Sequence, residues 1–194
     1  MPGRLSYRGI DVKEITEGFL KEGRYGFEET AYLLLCGTLP NQSVLGQFKD
    51  LISDAQSSKA EFARKTVLHL PSKDIMNVLG RGVLTLYSID PNPDDISIEN
   101  VLRQSIELLA SVPMLAVYGY QTYVHQFFNK SLVLHTPQPE LSIAENILYM
   151  LRPDSKYSPL EATLLDLSLV IHAEHGGGNN STFTTHVVTS TGTD

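Results

Sequence analysis

Residues 172–183 read HAEHGGGNNSTF. Two imidazoles, His172 and His175, stand three positions apart with Glu174 between them, and three glycines, two asparagines and a hydroxyl-rich run follow. Histidine changes charge near neutral pH and ligates metals, so the stretch is a natural place to look for chemistry. A zinc site of the H-E-x-x-H type sets its histidines four apart on one helical face. Here the spacing is three, no cysteine is near, and the third ligand would have to be His186, eleven residues on. A phosphate loop follows a strand, opens a helix and carries either G-x-G-x-x-G or a Walker lysine; GGGNN follows a helical run and has neither. Both readings are disfavoured, and no metal is expected.

Two readings remain. In the plainer one, Gly176 adopts the left-handed conformation and ends a helix, His175 is a last-turn residue, and His172 packs. The sharper one keeps that cap and adds a use. A helix C-terminus raises the proton affinity of a nearby imidazole, and Glu174 pushes the same way. His175 then stands beside a floor without side chains, with Asn179 and Asn180 as directional hydrogen-bonding groups. That is a small surface for an anionic or carbonyl oxygen. Spacing alone does not separate the two.

The elements around this stretch read as helix after helix. YSPLEATLLDLSLVI opens on Ser158 as N-cap, Pro159 in the first helical position and Glu161 reaching back, and Leu160, Leu164, Leu167 and Ile171 form an apolar stripe. LSIAENILYML has the same box in Ser142 and Glu145. FEETAYLLLCG ends at Gly37, and the next helix restarts at Asn41. Residues 59–69 form a separate amphipathic stretch. Ser72 is the cap for a helix with Ile75, Val78, Leu79, Val83 and Leu86 on one face; Gly80 and Gly82 weaken it and suggest the close approach of a neighbour. DPNPDD at 90–95 is a loop, and Ser97 caps a long helix running toward Phe128. Within it, residues 108–124 are apolar but short for a membrane span and read as a core helix bent or interrupted at Pro113. RLSYRGIDV suggests a short strand or extended arm, and STFTTHVVTST is ambiguous by propensity. The expected class is mainly α.

Composition narrows the partners. The chain has 194 residues, 15 basic against 22 acidic, and a formal charge of −7. No basic run is present, so neither nucleic acid nor an anionic membrane is an expected partner. The single cysteine, Cys36, lies in AYLLLCG and is expected to be a buried, reduced thiol, which fits a cytoplasmic location.

Taken together, GRLSYRGIDVKEI, FEETAYLLLCGTLP, LSIAENILYMLRP and LDLSLVIHAEHGGGNNSTF resemble the N-terminal half of citrate synthases, in order and at fitting separations, with the citrate and 2-methylcitrate synthase group nearest. The resemblance spans essentially all of residues 1–194. It implies a multi-helical part of the large domain with a short extended N-terminal arm, the small domain being absent. It implies a dimeric acyltransferase that condenses acetyl-CoA or propionyl-CoA with oxaloacetate and releases CoA, needing no cofactor beyond the CoA carried by the substrate. His175 would hydrogen-bond oxaloacetate, Asn179 would sit at the edge of the same pocket, and the ambiguous run after it would be helical. Family stretches of the Gly-Pro-x-His-Gly and Gly-x-Gly-His types, a later aspartate and the dicarboxylate-binding arginines have no counterpart here. From Tyr157 to Asp194 there is no lysine or arginine at all. A dicarboxylate buried there without a permanent cation would carry a large desolvation cost. The chain is therefore expected to be a fragment, inactive alone, exposing apolar stripes and self-associating. The alternative reading is a non-catalytic helical scaffold or dimerisation module; a metal-dependent hydrolase using His172, His175 and His186 is a weaker one.

Overall fold

The computed structural model describes residues 3–174 and 179–191. It opens with a two-residue-per-strand antiparallel hairpin, β1 (Ser6–Tyr7) and β2 (Ile10–Asp11), in which Ser6 faces Asp11 and Tyr7 faces Ile10. Arg8 and Gly9 make the turn with φ of 49° and 87°, the pair of left-handed residues that a tight hairpin demands. The arm runs directly into α1 (Val12–Lys21), capped by Asp11, whose side chain accepts from the Lys13 amide at 2.9 Å.

Seven more helices follow: α2 (Phe27–Cys36), α3 (Gln42–His69), α4 (Ile75–Tyr87), α5 (Ile98–Phe128), α6 (Ile143–Leu151), α7 (Pro159–Ile171) and α8 (Asn180–Ser190). The mainly α expectation holds. The short-range punctuation is where its chemistry requires. Asn41 and Ser97 cap α3 and α5; complete capping boxes open α6 (Ser142, Glu145) and α7 (Ser158, Glu161). Gly37, with φ 82°, ends α2 by donating to the Leu33 carbonyl at 2.8 Å.

The long helices carry the main core. Ala60, Ala63 and Val67 of α3 meet Met114, Leu115, Val117 and Tyr118 of α5, with Val78 of α4 and Met150 of α6 closing the cluster. Small residues let these axes approach. A methyl group added at Gly82 would lie 2.7 Å from Leu115, which is why a helix-weakening residue is retained there. Gly80 meets nothing within 4 Å, so only one of the two glycines marks a close approach. A second cluster joins Ala31, Phe48, Ile52, Ala110 and Ile143, and a third joins the arm and α1 to α2 and α7 through Tyr7, Ile15, Phe19, Leu33 and Val170.

Several expectations are corrected. Residues 59–69 are not a separate element but the second half of α3, because nothing between Gln42 and His69 breaks the helix. Asp74, not Ser72, caps α4; the Ser72 hydroxyl accepts instead from the Asp74 amide at 3.1 Å. In α4 the buried positions are Val78, Gly82 and Leu86, while Val83 is exposed. α5 is continuous through Pro113, with no interruption. It is long and apolar enough to pass for a membrane span, yet Ala110, Ser111, Met114, Leu115 and Tyr118 are buried within the protein. Cys36 is exposed rather than buried: it is the last residue of α2, and the helix turns Ala31 and Leu33 inward instead.

The largest correction concerns α7. The stripe Leu160, Leu164 and Ile171 faces outward, with Leu160 67% and Leu164 55% exposed, and Leu167 is only partly buried. The face turned to the protein is Ala162, Asp166 and Val170. α7 is apolar on most of its circumference, so periodicity cannot choose a face. The small Ala162 and the hydrogen-bonding Asp166 choose it.

The contrast between the two glycines gives a test. Gly82→Ala is expected to destabilise the protein by about 1 kcal/mol, since the overpacking against Leu115 outweighs the gain in helix propensity. Gly80→Ala is expected to stabilise by about 0.5–1 kcal/mol. Urea unfolding of both variants measures the difference.

Candidate functional site

α7 is the helix that delivers HAEHGGGNN, and three anchors hold it. At its start, Glu161 accepts from the Ser158 amide at 2.8 Å and pairs with the Arg152 guanidinium. Arg152 and Ser158 together hold the Glu161 carboxyl down to about 2. At its middle, Asp166 is 1% exposed and accepts from the amides of Gly26 (2.8 Å) and Phe27 (3.1 Å). Gly26 is the N-cap of α2 and has no side chain with which to cap it, so Asp166 supplies the missing acceptors from across the fold. Gly26 is glycine for a reason of space as well: a methyl group there would lie 2.1 Å from the Phe19 ring.

At its end, the Tyr7 hydroxyl donates to the carbonyls of Val170 (2.7 Å) and Ile171 (3.0 Å), two of the acceptors that a helix leaves unpaired. Burial pushes the Tyr7 phenol up, against opposing hydrogen bonds from the backbone of residues 173 and 174. Arg8, next along, donates through Nε (3.1 Å) and Nη2 (2.7 Å) to the Leu34 carbonyl near the end of α2. The YRG triplet is thus a clamp. Tyr7 grips the end of α7, Arg8 grips the end of α2, and Gly9 makes the turn between strands. No local signal in the sequence reveals this, because both carbonyl groups belong to distant helices.

The candidate residues fall as follows. α7 ends at Ile171 with His172 as its C-cap, not at Gly176. His172 Nδ1 lies 2.8 Å from the Ser168 carbonyl of its own helix, and the residue is exposed rather than packed as expected. The ending comes early because the Tyr7 hydroxyl satisfies the last carbonyls and Ala173 packs into the arm cluster. His175 and Gly176 lie outside the described residues. Asn179 is the N-cap of α8. Its Oδ1 accepts from the amides of Ser181 (2.9 Å) and Thr182 (3.3 Å). Asn180 is the first residue of α8, and His186 lies on its exposed surface. The run STFTTHVVTST is helical through Ser190, as the family resemblance implies and β-branching alone did not. No residue of α8 is buried, and Phe183, Val187 and Val188 are exposed.

A dicarboxylate at this segment needs cations. Six of the seven arginines are held elsewhere. Arg4 pairs with Asp11, Arg24 with Glu22 and Glu29, Arg103 with Asp90 and Glu107, and Arg152 with Glu161; Arg8 and Arg81 donate to the carbonyls of Leu34 and Leu70.

Residues 1–194 match the family described as "Citrate synthase, C-terminal domain", and the chain belongs to the citrate synthase family. It is 30% identical over 195 residues to citrate synthase 2 of Bacillus subtilis, covering 98% of this chain and 48% of that protein. It is 30% identical over 192 residues to the 2-methylcitrate synthase of Shewanella oneidensis, covering 98% and 46%. The crystal structure of citrate synthase from Pyrobaculum aerophilum superposes with a TM-score of 0.78 at 25% identity, covering 99% of this chain and 46% of that one. That of Thermotoga maritima gives 0.73 at 28%, covering 100% and 46%. The chain spans about half the length of the relatives it matches.

The Asp166 anchor predicts a pH dependence. Burial pushes its carboxyl up to about 6, reinforced by Glu28 and opposed by the Gly26 and Phe27 amides and Lys49; Tyr25 feels its charge in turn. A raised folded-state value favours the protonated form in the fold. The associated stability is present in full below the ordinary value of 3.8 and is lost as pH rises through about 6. The stability difference between wild type and Asp166→Asn is therefore expected to fall by roughly 2 kcal/mol between pH 4 and pH 7. Chemical denaturation across that range measures it; a flat difference would mean the carboxyl titrates normally.

Proposed function

We propose that this chain is part of an acyltransferase that condenses acetyl-CoA or propionyl-CoA with oxaloacetate, giving citrate or 2-methylcitrate and free CoA. The observation that carries the reading is the match of the whole chain to the citrate synthase family, with relatives named both citrate synthase and 2-methylcitrate synthase. The geometry supports it. The segment holding His175 is bounded by two ordered anchors, the Tyr7 clamp at the end of α7 and the Asn179 cap at the start of α8.

In this reading His175 donates to the oxo-acid oxygen and Asn179 lines the edge of the same pocket. Neither residue supplies net charge sufficient for a dicarboxylate, and residues 157–194 contain no lysine or arginine. Cations are therefore required from elsewhere, either a distant part of this fold or polypeptide outside residues 1–194, together with groups that remove the acyl α-proton and stabilise the enol, which the family resemblance does not assign to any residue of this chain. No metal or organic cofactor takes part; CoA enters as the acyl carrier. The protein acts in the cytoplasm as a homodimer, without nucleic acid or membrane as partner. The outward apolar faces of α7 (Leu160, Leu164, Ile171) and α8 (Phe183, Val187, Val188) support self-association, because surfaces of this kind seek cover.

Two measurements test the reading. A polypeptide of residues 1–194 given oxaloacetate and acetyl-CoA is expected to release no thiol above the blank. In a longer form that turns over, His175→Ala is expected to lower kcat/KM for oxaloacetate by roughly 10²–10³, the usual effect of removing one donor from a developing oxyanion. An unchanged kcat/KM would remove His175 from the site.

A further inference from the structure

A hollow of about 180 Å³ lies between α2, α3 and the start of α6, apart from the α7–α8 segment. Its floor holds two polar groups that the described residues do not satisfy. Glu28 is 2% exposed; its Oε1 accepts from the Ile143 amide at 2.7 Å, while Oε2 is buried without a hydrogen-bond partner. Gln56 is 3% exposed, and its Nε2 is likewise buried and unpartnered. Both line the hollow. Leaving a buried carboxylate oxygen without a donor is among the costliest arrangements in a protein interior, so a satisfied native state places something there.

The wall narrows the choice. Lys49, Ile52, Ser53 and Gln56 follow the spacing of one helical face, so α3 presents an ammonium, a hydroxyl and an amide in a row. Glu28 faces them from α2. Exposed Glu140 stands at the rim, and Ser142 is already bound to Glu145 in the capping box. An occupant that satisfies both groups donates to Glu28 and accepts from Gln56, and Lys49 offers a countercharge for an anionic acceptor; Tyr25 and Glu145, on the α6 side, complete the wall. A single water needs roughly 10–15 Å³ of such space, so the hollow has room for a larger guest.

We propose that this hollow binds a small α-amino acid, its ammonium on Glu28 Oε2 and its carboxylate on Gln56 Nε2 and Lys49 Nζ. The site is independent of the oxaloacetate reading and would stand if that reading fell.

The test is thermal unfolding of the intact chain with glycine, L-alanine or L-serine, against methylammonium and acetate at matched ionic strength. At least one amino acid is expected to raise the melting temperature saturably, by roughly 3–6 °C at about ten times its dissociation constant. Neither half-probe alone is expected to do so. Glu28→Gln keeps an acceptor for the Ile143 amide but turns a donor toward the guest, and is expected to weaken binding at least tenfold. Lys49→Met, on the half-exposed wall, disturbs no buried hydrogen bond, is expected to weaken it severalfold, and serves if the Glu28 variant fails to fold. No saturable shift with any of the three amino acids, a shift matched by methylammonium or acetate, or binding unchanged in Lys49→Met would overturn the proposal.

Discussion

A helix that begins or ends in a protein interior presents amides or carbonyls that nothing within the helix can satisfy. Around α7 this requirement is met by side chains sent from other elements of the fold. Asp166 of α7 takes the first amides of α2, and Glu28, the second residue of α2, takes the Ile143 amide at the start of α6. Tyr7 of the hairpin takes the last carbonyls of α7. Each link is a buried polar contact whose loss would leave groups on both sides stranded, and such contacts admit little slack. Together they fix the end of α7, and with it the point from which the His175 segment departs.

Part of this was legible in the sequence. The capping boxes at Ser142 and Ser158, the cap at Asn41 and the glycine stop at Gly37 obey rules that act within three or four residues, so a local reading finds them. The cross-fold caps could not be found that way. Asp166 sits in a run of leucines with nothing to mark it as an N-cap for a helix 140 positions earlier. Gly26 carries no side chain, and so gives no sign that it caps anything. The same limit explains the α7 stripe. Where both faces of a helix are apolar, spacing favours the longer side chains, while packing favours whichever residues allow the closest approach. Likewise the glycines at 176–178 suggest a later helix end than Ile171, because the Tyr7 hydroxyl that meets the last carbonyls comes from the far end of the chain.

The core has a consistent style. Where α3, α4 and α5 cross, alanines and glycines occupy the contact and larger side chains fill the flanks: Ala60, Ala63 and Gly82 against Leu115, and Gly119 against Val78. Close axes leave less room for rearrangement than a core of interdigitated leucines, and this gives the long helices a rigid frame. Polar side chains then tie the connection between α5 and α6 to that frame. Tyr118 donates to the His135 carbonyl at 2.9 Å, and Asn146 donates to the carbonyls of Gln138 and Leu141.

The reach of the Asp166 contact has a consequence for how the protein is made. Gly26 and Asp166 are separated by 140 residues and Tyr7 and Val170 by 163. At a synthesis rate of about 5–20 residues per second, roughly 7–30 seconds pass between the appearance of α2 on the ribosome and that of the carboxyl that caps it. During that interval α3, α4 and α5, adjacent in the chain, can assemble with local contacts alone, whereas the hairpin and α2 wait for a distant loop to close. The hairpin and α2, translated before the helices they dock on, are thus seated after them, and they stay open to chaperones and proteases until α7 emerges.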